Sequence, residues 1–299
     1  MFRQSLMITA SLAFSVSLAA AADVPASGTK LSAAEIVEKN VAARGGLQAW
    51  RAVQTMSLEG KLGAGGNQRA ALPVPGAERR SGRPSQPGFS SRPAEEVQLP
   101  FVMELKRPRK LRFEIQFNGQ TAVQVFNGAQ GWKLRPFLNR REVEPYTAEE
   151  TKVAAMQADL DGHLVDYAAK GTKIDLDGME KVEDRDTYKP KLTMKSGEAI
   201  HVWIDAHTFL ETKIEGQPRR LDGVYHPVEV YFRDYRLVSG LQIPFALDTK
   251  VLPVGRTALG LKDPAVPVEK IVVEKVVVNP KLEESHFSTP VVEVASNAK

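Results

Sequence analysis

The sequence predicts a mainly β fold of the α+β type: a curved antiparallel sheet with helices packed on one face. Three observations lead there. Roughly ten segments with strand texture follow one another in chain order, and tight-turn signals separate several of them. Only two stretches carry a helical period. In one strand Leu111, Phe113, Ile115 and Phe117 alternate with Arg112, Glu114 and Gln116, which is the pattern of a sheet with one wet face and one dry face.

Residues 1–22 carry one charge, Arg3, then an apolar run through Leu6, Ile8, Leu12, Phe14, Val16 and Leu18, and end in Ala19 to Ala22. A short n-region, an h-region and an A-x-A exit describe a cleavable secretory signal. The mature chain is expected to start near Asp23, as a single domain over 23–292 followed by a polar tail, 293–299. No cysteine follows the leader to accept a lipid anchor, so a soluble periplasmic protein is expected.

Ser32, with Glu35 three residues on, opens an amphipathic helix whose stripe is Ile36, Val37 and Val41, and Gly45-Gly46 stops it. Val53 to Leu62 alternates as a first strand. The stretch 63–97 then turns rich in Gly, Pro, Ser and Arg with almost no large apolar residue; it cannot build a core and reads as a disordered insertion between two strands. A meander follows from Leu99, with Asn118-Gly119 and Asn127-Gly128 where tight hairpins want residues that accept positive φ. Thr147 and Glu150 form a second capping box, and the helical stretch through Lys170 places Val153, Met156, Leu160, Leu164 and Tyr167 on an apolar stripe. Strand texture then resumes and runs to Asn279. No solenoid repeat is visible.

The 299 residues contain no cysteine, which removes disulfides, thiolate catalysis and cysteine–metal sites together. A formal charge of +4, reduced by one when Arg3 leaves with the signal, is too small to imply a nucleic-acid partner. His163, His201, His207, His226 and His286 show no close ligand pairing, so no metal is expected and surface or turn histidines account for them. Ser27 and Lys30 have the S-x-x-K spacing of serine acyltransferases but sit beside the cleavage site. There is no G-x-S-x-G elbow and no phosphate loop, and Asp159/Asp161 and Asp175/Asp177 lack the pattern of a calcium loop. No catalytic residues, no enzyme activity and no cofactor are expected. The basic run Lys106 to Lys110 reads as a solvated hairpin turn, with contact to anionic headgroups as the alternative. Trp132, Phe137, Trp203 and Phe232 suit a cavity wall or an ordinary core.

Six patterns stand in order along the chain: AARGGLQAW at 42–50, RPRKLRFE at 107–114, FNGAQGWKLRPF at 126–137, IDAHTFLETK at 204–213, YFRDYRLVSGLQIPF at 231–245 and NPKLEESHFSTP at 279–290. Together they resemble the LolA-like periplasmic proteins, the broad group around the outer-membrane lipoprotein-sorting carriers. The resemblance implies an unclosed β-barrel whose concave apolar face is covered by a helical lid and binds acyl chains. On that basis the cavity wall is assigned to Phe113, Ile115, Phe117, Trp132, Trp203, Val230 and Phe232, and the lid to Val153, Met156 and Leu160. The expected function is a carrier or binding protein for a lipid or lipidated protein, working as a monomer with membrane-anchored donor or acceptor proteins and passing contact with a membrane surface. The alternative is an envelope signalling or stress-sensing module of the same fold with a protein partner.

Overall fold

A computed structural model describes residues 30–64, 96–136, 140–221, 223–255 and 266–291. The leader, the Gly/Pro-rich stretch over 65–95, Phe137 and the polar tail lie outside the described residues. The fold resides in the unit Ser32–Lys299.

Both capping boxes form. The Ser32 hydroxyl accepts the Glu35 amide while the Glu35 carboxylate accepts the Ser32 amide, opening α1 (Ala33–Ala43). Thr147 and Glu150 do the same for α3 (Ala148–Gln157), and α2 (Leu47–Ala52) lies between the two in sequence. Gly45, at φ +116°, makes the corner between α1 and α2. A Cβ there would stand 2.3 Å from the Gly240 carbonyl oxygen, so glycine alone lets this corner sit on the sheet.

The strands are β1 (Thr55–Ala64), β2 (Val97–Lys106), β3 (Lys110–Phe117), β4 (Gln120–Phe126), β5 (Gly131–Arg135), β6 (Arg140–Pro145), β7 (Lys173–Val182), β8 (Arg185–Thr193), β9 (Ala199–Asp205), β10 (Glu211–Leu221), β11 (Val224–Val238), β12 (Leu241–Val251) and β13 (Glu269–Val278). All pair antiparallel in one open sheet of order β6-β5-β4-β3-β2-β1-β13-β12-β11-β10-β9-β8-β7. Two meanders therefore meet where the last strand docks beside the first. The short β5 and β6 are absent from the sequence-based strand set. Asn118-Gly119 and Ser239-Gly240 turn with both residues at positive φ, as the hairpin rule requires, and so do Glu183-Asp184, where the sequence carries no glycine signal. Asn127-Gly128 instead starts a longer turn, in which Asn127 Oδ1 accepts the amides of Ala129 and Gln130.

The chain must pass from β6, one edge of the sheet, to β7, the opposite edge. A flat sheet of this size would hold those edges roughly 58 Å apart. The connection 146–172 contains α3, a helix only about 15 Å long. Yet α3 ties β5 through Lys133–Glu150, reaches the β8–β9 turn through Lys152–Glu198 at 3.0 Å, and meets β10 where Gln217 Nε2 donates to Met156 Sδ at 3.6 Å. β5 and β10 are eight positions apart in the strand order, about 38 Å if flat. The sheet must curl around the crossover for one short helix to touch both.

After Gln157 the crossover is not helical, unlike the long helical stretch expected up to Lys170. Gly162 and Asp166 take positive φ and end the regular period, and the neighbouring carboxylates are committed to basic side chains. Asp161, almost fully buried, receives Arg107 on both oxygens, and Arg107 also donates to the carbonyls of Trp50 and Val53. Arg44 donates to the Asp161 carbonyl at 3.3 Å, Lys170 pairs with Asp159 at 2.8 Å, and Arg51 grips Asp166 with two hydrogen bonds. Adjacent Leu164 and Val165 are both fully buried, which no single helical stripe provides.

The C-terminal residues 279–291 cross the other face of the sheet. Asn279 Oδ1 accepts the Gln54 amide and Lys106 donates to the Leu282 carbonyl; a 3-10 turn, Glu284–Phe287, then drops Phe287 onto Val123, Val125 and Leu134. Glu284 lies between Lys106 and Lys110, and His286 meets Glu104. The basic run Lys106 to Lys110 is thus largely consumed inside the fold: Arg107 holds the crossover, Lys106 and Lys110 clasp the strap, and Arg109 is exposed.

Two outcomes are expected. Removing one member of a buried ion pair costs about 3–5 kcal/mol; Arg107 is 28% exposed against 6% for Asp161, so Arg107→Ala should lower unfolding free energy by about 3 kcal/mol in urea at unchanged m, and Arg107→Lys should recover only part because lysine cannot fork. Hydrogen bonds from Lys106 and Lys110 hold the Glu284 carboxyl at about 2 against its ordinary 4.5. Because the folded value is depressed, the clasp is whole above pH 4.5 and is lost as pH falls towards 2. The Phe287 ring resonances should move towards free-chain values across that window, and in Glu284→Gln they should be displaced already at neutral pH; an unmoved Phe287 in the variant would rule the clasp out.

Candidate functional site

Register fixes which side chains share a face. Phe101, Met103 and Leu105 of β2 stand opposite Ile115, Phe113 and Leu111 of β3, and Leu58 and Met56 of β1 continue the row. Across β13 and β12 the same face carries Val276, Val273, Ile271, Leu247 and Phe245, and it runs on through Phe232 and Val230 of β11 to Ile214 of β10. Lys133 shares this face with Gln124, and its pairing with Glu150 identifies it as the face covered by α3.

Burial divides this lid face along the strands. Towards the end that holds α2 and Arg107, Met56, Leu105, Leu111, Phe126, Leu241, Ile243 and Phe245 are buried. Towards the other end burial is mixed: Phe101, Val228, Val251 and Val273 are buried, while Leu58, Leu62, Met103, Phe113, Ile115 and Phe117 on β1 to β3, and Ile214, Val230, Phe232, Leu247, Ile271 and Val276 on β10 to β13, are only half-buried. The result is a continuous apolar trough, plugged at the α2 end and only partly covered towards the other, open end. Two close approaches shape its floor. Phe101 and Phe113 pack with tilted rings, centroids 5.8 Å apart, and at Gly60 a Cβ would come within 2.1 Å of the Val272 carbonyl oxygen, so β1 and β13 meet there with no side chain between them.

Of the seven residues expected on the cavity wall, Phe113, Ile115, Phe117, Val230 and Phe232 share the trough face. Trp132 and Trp203 do not. Trp132 stands opposite Val125, on the outer face, and packs on the cluster capped by Phe287. Trp203, opposite Lys213, belongs to an outer cluster with Val182 and Tyr231. Lys213 Nζ lies 3.8 Å from the Trp203 ring centroid and bonds Glu229 at 2.8 Å, while Lys250 sits 4.0 Å from the Tyr231 centroid. Both faces of the sheet therefore carry aromatic residues. The outer ones are shielded by the strap on one wing and by lysine stems on the other, so residue type alone does not mark the trough.

The expected lid residues lie on or just after α3: Val153 and Met156 are half-buried and Leu160 is buried. A pocket of about 430 Å³ opens between α3 and β4, lined by Gln124, Tyr146, Thr147, Val153 and Ala154. The Tyr146 ring occupies the space a Cβ at Gly131 would need, and burial together with Glu150 pushes its hydroxyl up to about 12. Glu150 stays below its ordinary value although burial pulls it up, because Lys133 and the Thr147 cap stabilise its charge. A second, apolar pocket of about 380 Å³ lies between α1, α2 and the crossover, lined by Val37, Val41, Leu47, Leu164, Tyr167 and Ala168. Both volumes fall within the roughly 300–1,000 Å³ of ordinary small-molecule sites.

The polar groups singled out in the sequence are engaged in structure. Asp159 and Asp161 hold the crossover, and Asp177 and Glu215 flank His201 at 2.9 and 3.0 Å on exposed strand surface. His226 is buried with Nδ1 3.1 Å from the Leu252 carbonyl oxygen. Among the described residues no group of three or more His, Cys, Asp or Glu is placed to hold a metal, and no helix is long and apolar enough to cross a membrane.

No protein-family profile and no curated protein matches the sequence. Solved structures do. A LolA superfamily protein from Nitrosomonas europaea superposes with a TM-score of 0.51 at 12% identity, over 87% of this chain and 99% of that one. A DUF1329 family protein from Desulfovibrio piger gives 0.48 at 12% identity over 87% and 98%, and a domain named for outer membrane lipoprotein sorting from Vibrio parahaemolyticus gives 0.49 at 11% over 85% and 95%. The first superposition covers 87% of this chain and nearly the whole of that one, at a TM-score that shows a shared fold. The chain has the LolA-like fold.

Proposed function

We propose that this protein is an exported, periplasmic carrier that binds the acyl chain of a lipid or lipidated protein between the curled sheet and α3, without catalysis. The observation that carries the reading is the half-buried apolar row from Leu62 and Phe117 across to Val230 and Ile214. A water-soluble chain rarely leaves so large a connected apolar face partly open unless the face receives something. The secretory leader supports export, and the LolA-like fold supports a trough with a helical cover.

The energetics favour an acyl occupant. Each buried methylene contributes about 0.8 kcal/mol, so a long chain is held without any directional contact. Release is equally available, because the cover is light. Lys152–Glu198 is half-exposed, and pairs of that kind contribute about 0–1 kcal/mol.

A fluorescent fatty-acid probe is expected to bind the purified protein. Phe113→Glu, which places a charge in the trough, should weaken it at least about tenfold, or 1.4 kcal/mol. Trp132→Phe, on the outer face, should leave affinity unchanged. Equal loss in both variants would remove the trough as the site, and absence of both probe binding and extractable lipid in protein from its own host would sink the carrier reading.

A further inference from the structure

At the open end of the trough, one ion pair spans the lid face. Arg219, near the end of β10, stands opposite His226, and Glu269, the first residue of β13, stands opposite Thr249. Strands β11 and β12 run between them. Even so, Arg219 Nη1 reaches Glu269 Oε1 at 2.5 Å and Nη2 reaches Oε2 at 2.7 Å. On the two intervening strands, Val228 and Val251 stand opposite each other on the same face and are buried. The contact is a bidentate fork laid across the floor at the mouth.

We propose that Arg219 is the headgroup anchor of the trough, and that the ligand is an amphiphile whose polar end is a carboxylate or a phosphate. The inference rests on the acyl-chain reading and adds the chemistry of the other end. A guanidinium fork matches the two oxygens of a carboxylate or phosphate, and Glu269 already shows that geometry from within the chain. Each side chain is 40% exposed, so the internal pair is open to solvent and its carboxylate can be exchanged for that of a ligand. The site is also at the right depth: an acyl chain lying over Val230, Phe232, Leu247 and Ile271 would end beside Arg219, with Glu269 released to water at the strand terminus. No bond is made or broken in this exchange. One anion replaces another on the same fork.

The test uses the full mature chain with N-phenyl-1-naphthylamine, a neutral apolar dye, as the reporter, displaced by oleate or by oleyl alcohol. These competitors share a tail and differ in head. The wild-type protein should prefer oleate by about tenfold. Arg219→Gln should bring oleate down to the affinity of the alcohol and leave the alcohol unchanged, which also shows that the variant is folded and its trough intact. Glu269→Gln should improve oleate several-fold by freeing the fork. Dodecyl phosphate, paired with dodecanol, should follow the same pattern and separates phosphate from carboxylate preference. An oleate-to-alcohol ratio that Arg219→Gln does not change overturns the anchor while the carrier reading stands. Failure of the dye and both amphiphiles to bind overturns both.

Discussion

An open antiparallel sheet with one broad apolar face, its two edges joined by a single short crossover, is the constraint on which the rest of the structure depends. The edge-to-edge connection lies over the face, and its one short helix can touch both β5 and β10 only because the sheet curls. Curling, in turn, makes a concave apolar surface too large for α1, α2 and α3 to fill. The half-buried row is what remains after the helices have covered what they can. The trough is therefore a consequence of topology as much as of residue choice: the described strands form two meanders, with β13 closing against β1, and place β6 and β7 at opposite edges joined across the lid face.

Charges position the cover where apolar contact alone could not. Hydrophobic burial is non-directional, so a crossover packed only by Leu160, Leu164 and Val165 could slide along the sheet. Asp161 prevents this by drawing Arg107, from the β2–β3 turn, and Arg44, from the end of α1, to one point. The plugged end is fixed by buried charge with several hydrogen bonds. The open end has half-exposed pairs instead, Lys152–Glu198 and Arg219–Glu269. The cost of breaking an ion pair rises steeply with burial, so the same type of interaction makes one end of the lid an anchor and the other an easily released edge.

Much of this was legible in the sequence, and the parts that were not share a cause. Both capping boxes and the alternating face of β3 rest on local rules, and they formed as read. Alternation fails as a guide where both faces of a strand are buried. In β4, Ala122, Val123, Val125 and Phe126 are all buried because α3 covers one face and Phe287 the other, and the partner responsible lies some 160 residues away in sequence. For the same reason Trp132 and Trp203 could not be assigned to a face. Their position depends on strand register, and register is set by pairing across the sheet. The basic run Lys106 to Lys110 reads as solvated until Asp161 and Glu284, both distant in sequence, are placed beside it.

The proposed carrier reading asks only for a balance between the cover and an acyl chain. Opening the free edge of α3 gives up Lys152–Glu198, worth no more than about 1 kcal/mol, and the contact of Met156 with Gln217. Three or four methylenes entering the trough return about 2.4–3.2 kcal/mol. On the proposed carrier reading, methylene burial is therefore of the right size to offset loosening that edge, while Lys133–Glu150 keeps the start of α3 on the sheet. In the structure α3 covers only part of this face, and Phe113 and Phe232 stay half-buried. On the proposed carrier reading, direction comes from the difference in affinity between the trough and whatever donates or accepts the acyl chain.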